Sequence, residues 1–266
     1  MNKKLLLTPS IVCLCLISNL IFSQGSAVFD PITHTSHLPG GMTWSNNMAY
    51  SVSQSFDKDF DQYSMRPILG NGNMFAFGSE YNTKGTRFLF DEWVKGVVVK
   101  NSGEVIDGEM YYFNFDKITS NLIVTVNKND IIEVYKDSIQ SFKVKERGKV
   151  YSFEKLASIQ RYRFVQVLVK DKDNYSLYKS INTRLIGANY TTNGLTETGN
   201  PYDEYVDMNK YYIVYKDQVR PVELKFTSLK KALKENSSRV KDFYADHIMD
   251  EVDENYAINM IEYLNE

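Results

Sequence analysis

Between Thr86 and Phe226 the chain alternates short runs of Val, Ile, Tyr and Phe with polar turn clusters. These are "NSG" from Asn101, "DG" from Asp107, "NKND" from Asn127, "KDS" from Lys136, "ERG" from Glu146 and "KDKDN" from Lys170. Strand-length runs parted by turns at intervals of about ten residues predict an antiparallel sheet, sandwich or barrel. Alternation within the runs agrees. In "SIQSFKVKE" Phe142 and Val144 fall on one face and Lys143 and Lys145 on the other; Tyr151 and Phe153 alternate with Ser152 and Glu154 in the same way. "FVQVLVK", ending at Lys170, is apolar at nearly every position and predicts a central strand covered on both faces. "VVVKNSGEVI" predicts a hairpin reversing at Asn101–Gly103, and "DGEMYYFNF" the next strand, with Tyr111, Phe113 and Phe115 on one face and Tyr112 and Asn114 on the other. "YTTNGLTETGNPYDEYVDMN", residues 190–209, breaks the pattern and predicts a long loop, after which "KYYIVY" and "PVELKF" resume as strands.

The pattern then changes period. Val240, Phe243, Tyr244, His247 and Ile248 form one helical stripe, Ala257, Met260, Ile261 and Leu264 a second, and Leu229, Ala232 and Leu233 a shorter one before them. Ser237 or Ser238 suits the N-cap of the middle helix. Helices with a single apolar stripe must cover something, and the preceding sheet is the available partner. The expected class is therefore α+β: predominantly antiparallel β, as a curved sheet, barrel-like or sandwich, with C-terminal helices packed on it. Upstream, residues 25–84 carry Pro, Gly and Asn every few positions and predict an irregular N-terminal arm. The domain reading is a leader over 1–24, the arm over 25–84, a β-rich domain over 85–226 and helices over 227–266.

The leader assigns a compartment. Lys3 and Lys4 precede an apolar run from Leu5 to Phe22, and "SQGSA" follows, which is the layout of a secretory signal cleaved after Gln24 or Ala27. Pro9 and the internal polar residues make the run a poor spanning helix, and no later stretch reaches membrane-spanning length. Both cysteines, Cys13 and Cys15, lie inside this run, so the chain beyond it has no disulfide, thiolate metal site or cysteine nucleophile. Loss of Lys3 and Lys4 moves the formal charge from −2 to −4, with 29 basic residues interspersed among 33 acidic ones. Nucleic-acid binding, which needs a concentrated positive surface, has no support in that distribution.

Catalytic motifs are sparse. His34 and His37 in "HTSH" lack a third ligand at a recognised spacing, and His247 sits on a helical stripe. No serine lies in a G-x-S-x-G turn, "GNG" from Gly70 opens no helix, and "DEYVD" lacks the periodicity of a calcium loop. No metal and no cofactor is expected. Paired carboxylates remain: Asp91, Glu92, Asp107 and Asp116 lie near predicted strand ends, where turn-forming acids are also common. Trp44 and Trp93 could stack on a sugar ring, although Trp93 also suits the border of a sheet. The candidate binding residues are Trp93, Asp91, Asp116 and Trp44.

The segment "KGTRFLFDEWVKGVVVKNSGEVIDGEMYYFNFDKITSNLIVTVNKNDIIEVYKDSIQSFKV", residues 84–144, resembles uncharacterised secreted proteins of Bacteroidota-type bacteria. In that group an F-D-x-W-x-x-G entry leads to a "YNYDK"-like strand, then "NL", then an I-x-S-F strand. The resemblance extends weakly through "YYIVY" and the helical tail and implies compartment and architecture, with no activity to carry over. The resulting expectation is a secreted or periplasmic non-enzymatic protein that binds an envelope protein or glycan, the alternative being a polysaccharide-acting hydrolase with two carboxylates.

Overall fold

The computed structural model describes residue 56 and residues 59–60, 65–68, 82–107 and 109–266, which belong to one compact unit running from residue 45 to residue 266. Trp44, His34, His37 and most of the N-terminal arm lie outside the described residues.

An eight-stranded antiparallel sheet forms the spine. Its strands lie in the order β17 (Gln218–Val222), β16 (Lys210–Tyr215), β11 (Ser176–Ser180), β10 (Phe164–Val169), β9 (Lys149–Lys155), β8 (Ile139–Glu146), β3 (Lys95–Lys100) and β4 (Val105–Asp107). A four-stranded antiparallel sheet, β1 (Met65–Ile68), β7 (Ile131–Val134), β6 (Asn121–Thr125) and β5 (Tyr112–Asp116), packs on it. Both sheets are open, so the fold is an α+β sandwich rather than a closed barrel. The "FVQVLVK" strand is β10, central as its composition requires. The "VVVKNSGEVI" hairpin is β3–β4, turned through Gly103 at φ +85°. The chain does not continue that hairpin into the next strand of the same sheet. It crosses to the smaller sheet, where Tyr111, Phe113 and Phe115 point into the shared core and are almost fully buried.

The register places both covering layers on one face of the spine. Phe142 pairs with Phe153, Phe153 with Gln166, Gln166 with Lys179, Lys179 with Tyr211 and Tyr211 with Val222. Directly opposed residues share a face. The Phe142 end of that row is covered by the four-stranded sheet, and the Val222 end by helices α1 (Phe226–Ala232), α2 (Ser237–Asp246) and α3 (Glu254–Asn265). The first core centres on Phe115, Phe142, Phe153 and Phe164, with the Phe142 and Phe153 rings stacked at 4.6 Å. It also takes in Phe56, Phe60 and Met65, so the core reaches back into the sequence of the arm. The second core joins Leu177, Ile213 and Val222 to Leu229, Phe243, Met260 and Leu264.

Four expectations need correction. Residues 190–209 form a β arm, not a loop: β12 (Thr183–Ile186) pairs with β15 (Asp203–Asp207), β13 (Thr191–Thr192) with β14 (Glu197–Thr198), and β15 runs parallel to β2 (Thr83–Lys84). Every residue from Arg184 to Pro201 is exposed, so the arm has no apolar alternation to read. "PVELKF" is not a strand of its own. Its first two residues end β17, which starts at Gln218 after a tight turn through Lys216 and Asp217, both at positive φ and neither a glycine. The N-cap of α2 is Asn236, because a 3₁₀ turn over Lys234–Asn236 runs straight into the helix and takes Ser237 and Ser238 as its first residues. Finally, α2 stops at Asp246, and Ile248 lies exposed beyond it.

Candidate functional site: a lysine-walled groove on the bare sheet face

The residues singled out in the sequence do not gather at one place. Trp44 lies outside the described residues. Asp91 is exposed in a bend. Trp93 is half-buried on the outer face of the four-stranded sheet, against a cluster of Phe88, Ile123 and Ile131. Asp116 is buried and fully engaged. Its Oδ2 accepts from Arg87, while its Oδ1 accepts from the backbone N–H of Ile118 at 2.9 Å and Thr119 at 3.4 Å. That carboxylate closes the β5–β6 turn and has a cation beside it, which is a structural role.

The opposite face of the spine carries a different arrangement. At the end formed by β4, β3, β8 and β9, the covering layers lie on the other side, and strand alternation turns Lys95, Val97, Lys143, Lys145 and Val150 outward. Lys95 stands directly opposite Lys145, and Val97 opposite Lys143 on one side and Asp107 on the other. With Glu109 these residues line an open groove of about 600 Å3.

Each wall has its own chemistry. The Lys95 ammonium lies 3.5 Å from the centre of the Tyr112 ring and donates to the carbonyl of Glu109, which fixes its direction. Among the described residues, the ammonium groups of Lys143 and Lys145 have neither a hydrogen bond nor an ion pair. Asp107 and Glu109 form the acidic wall along β4 and just beyond it. The floor is made by Val97, Val150 and Gly96. Gly96 is dictated by what lies beneath: a Cβ there would come within 2.5 Å of the Lys143 carbonyl and 3.2 Å of the Phe113 ring. The groove therefore rests on a stiff junction between the two sheets, bridged also at Val94 and Phe113.

No family model matches this chain. No curated protein and no solved structure matches it either.

Other polar groups are committed to structure. At the boundary of the two cores, Glu254 at the start of α3 receives Lys179 at 2.6 Å and the Tyr211 hydroxyl at 2.9 Å. Burial first, and then this carboxylate, raise the Tyr211 phenol. On the opposite side of the spine, where β11 is buried, burial and the neighbouring Glu154 push Tyr178 up to about 12. His247 caps α2, its Nδ1 2.8 Å from the Phe243 carbonyl and its ring stacked on Phe243. A second recess, near Lys210, Tyr212, Pro221 and Ser228, has one lysine and one acid and no convergent charge. Among the described residues no three His, Cys, Asp or Glu side chains converge as metal ligands would.

The groove was only half visible in the sequence. Alternation in "SIQSFKVKE" puts Lys143 and Lys145 together on the face opposite Phe142 and Val144. What local pattern cannot supply is that β3 pairs with β8 in the register that sets Lys95 beside them.

Proposed function

We propose that the protein is a non-enzymatic binding protein acting outside the cytoplasm, secreted or periplasmic, and that it holds an envelope protein or glycan in the lysine-walled groove. The observation that carries this reading is the placing of three lysines on one bare patch, two of them directly opposed. Like charges in that position oppose folding rather than assist it. Among the described residues two of the three ammonium groups have no partner, which leaves them available to an anionic ligand. The leader sequence and the resemblance of residues 84–144 to secreted Bacteroidota-type proteins support the compartment. Among the described residues no helix is long and apolar enough to cross a membrane.

The test is co-sedimentation of the full chain, expressed with its leader, with purified envelope material. Wild type should be retained, and Lys143→Glu/Lys145→Glu should stay in the supernatant while keeping the wild-type melting curve. Equal behaviour of the two, or no retention of either, refutes the reading. A hydrolase reading has one observation in its favour: Asp107 and Glu109 line the same groove. It predicts new reducing ends released from envelope polysaccharide, and their loss in Asp107→Asn.

A further inference from the structure

We propose that the ligand of this groove is a carboxylated polysaccharide, a chain of uronic-acid-containing sugars, whose acid groups sit against Lys143 and Lys145 while ring hydroxyls donate to Asp107 and Glu109. The inference rests on the binding reading above and narrows it to one ligand class.

Three features select that class. First, the lining is mixed. Lysines stand at Lys95, Lys143 and Lys145, and across the groove, on the β4 side, stand two carboxylates with no cation paired to them among the described residues. A ligand that is anionic throughout, such as a nucleic acid or a polyphosphate, gains from the lysines and is repelled by the acids. A uronate chain offers carboxylates to one wall and hydroxyl donors to the other. Second, the floor is apolar side chain, Val97 and Val150, which suits the C–H face of a sugar ring. Third, the backbone of the floor is unavailable. An extended peptide docking along a sheet draws much of its affinity from main-chain hydrogen bonds. Here β3 is paired with β4 and β8, and β8 with β3 and β9, so the floor has no free ladder to offer an acidic peptide. The groove is also open rather than enclosed, as a site for a polymer has to be, since the chain must enter and leave at its ends.

The experiment is calorimetric titration of the full, leader-processed protein with oligogalacturonate, its methyl ester, sulfated dextran oligomers, polyglutamate and single-stranded DNA, each in low and physiological salt. Oligogalacturonate should bind, the neutral ester should lose at least tenfold in affinity, and Lys143→Glu/Lys145→Glu should lose at least tenfold for the acid form. Lys230→Glu/Lys231→Glu, on exposed positions of α1, should leave binding unchanged. Tighter binding of sulfated dextran, polyglutamate or DNA than of oligogalacturonate overturns the proposal, as does binding that is indifferent to the groove variant. If oligogalacturonate fails while envelope material is still retained through Lys143 and Lys145, the ligand class falls and the binding reading stands. If both fail, the groove is not a binding site.

Discussion

Asn114 interrupts an aromatic run and is fully buried, and its replacement should be among the most damaging single changes in the four-stranded sheet. Its Nδ2 donates to the Phe90 carbonyl at 2.8 Å, and its Oδ1 accepts from the Phe90 N–H at 3.3 Å. The side chain thus does for Phe90 what a neighbouring strand would do, at a place where Phe90 is itself buried. Asn114→Ala leaves a buried N–H and a buried carbonyl without partners, each costing about 1–3 kcal/mol. Taking the longer bond at the low end and the shorter one in mid-range gives a loss of about 3 kcal/mol. With a urea m-value of about 2 kcal/mol/M, the unfolding midpoint followed by far-UV circular dichroism should fall by about 1.5 M. Asn114→Leu restores volume without restoring either bond and should not rescue. Asn114→Asp presents a carboxylate to the Phe90 carbonyl at neutral pH. Its deficit against wild type should be large at pH 7 and shrink on acidification, because the protonated acid can donate where the amide did. A loss below about 0.5 kcal/mol in Asn114→Ala, or a wild-type midpoint in Asn114→Leu, refutes the reasoning.

Two further outcomes follow from the geometry. Gly96→Ala forces a methyl group against the Lys143 carbonyl, the Val144 side chain and the Phe113 ring, so differential scanning calorimetry should show a lower Tm, by roughly 4–12 °C for an overpacking cost of about 2–3 kcal/mol. Glu235 accepts from both terminal nitrogens of Arg220, at 2.6 and 2.7 Å, and that hydrogen-bonded contact holds its carboxyl at about 2 against an ordinary 4.5. Because the folded value is the lower one, the contribution is complete above about 4.5 and is lost as pH falls toward about 2. Glu235→Gln should therefore be less stable than wild type at neutral pH and converge on it in that acid window. Parallel Tm-against-pH curves would count against the assignment.

Much of the architecture was written in local pattern. Phe142, Val144 and Phe153 point inward as their alternation requires, and five of the six turn clusters fall between strands or in the 3₁₀ turn leading into β8 (the sixth, at Asp107, abuts a residue outside the described set). The helical stripes on α1 and α3 are buried at Leu229, Met260, Ile261 and Leu264. What the sequence hid has physical reasons. The arm at Arg184–Pro201 packs against no core, so no face of it had to be apolar. The Lys216–Asp217 turn takes positive φ at two residues neither of which is glycine, and so carries no glycine signal. The acids at Asp91 and Asp116 looked alike in sequence, and only the tertiary fold brings Arg87 to one and leaves the other in water. The groove depends on which strands become neighbours, a long-range fact that no window of residues contains.

Two cores on the same face of one sheet also impose an order of completion on a chain that emerges from its N-terminal side. The first core draws its last described member from Ile181, whereas the second has to wait for α1, α2 and α3. In that interval β10 and β11 are already anchored through Phe164 and Ile181, and their other ends hold out Leu168 and Leu177 with nothing over them. Gln166 and Lys179 sit at the divide, so the sandwich half can close without recruiting those apolar ends into the wrong packing. A chain that folds as it lengthens from its N-terminal side passes through this half-roofed stage. Arrival of the helical tail, with Lys179 and Tyr211 captured by Glu254, is the step that ends the exposure.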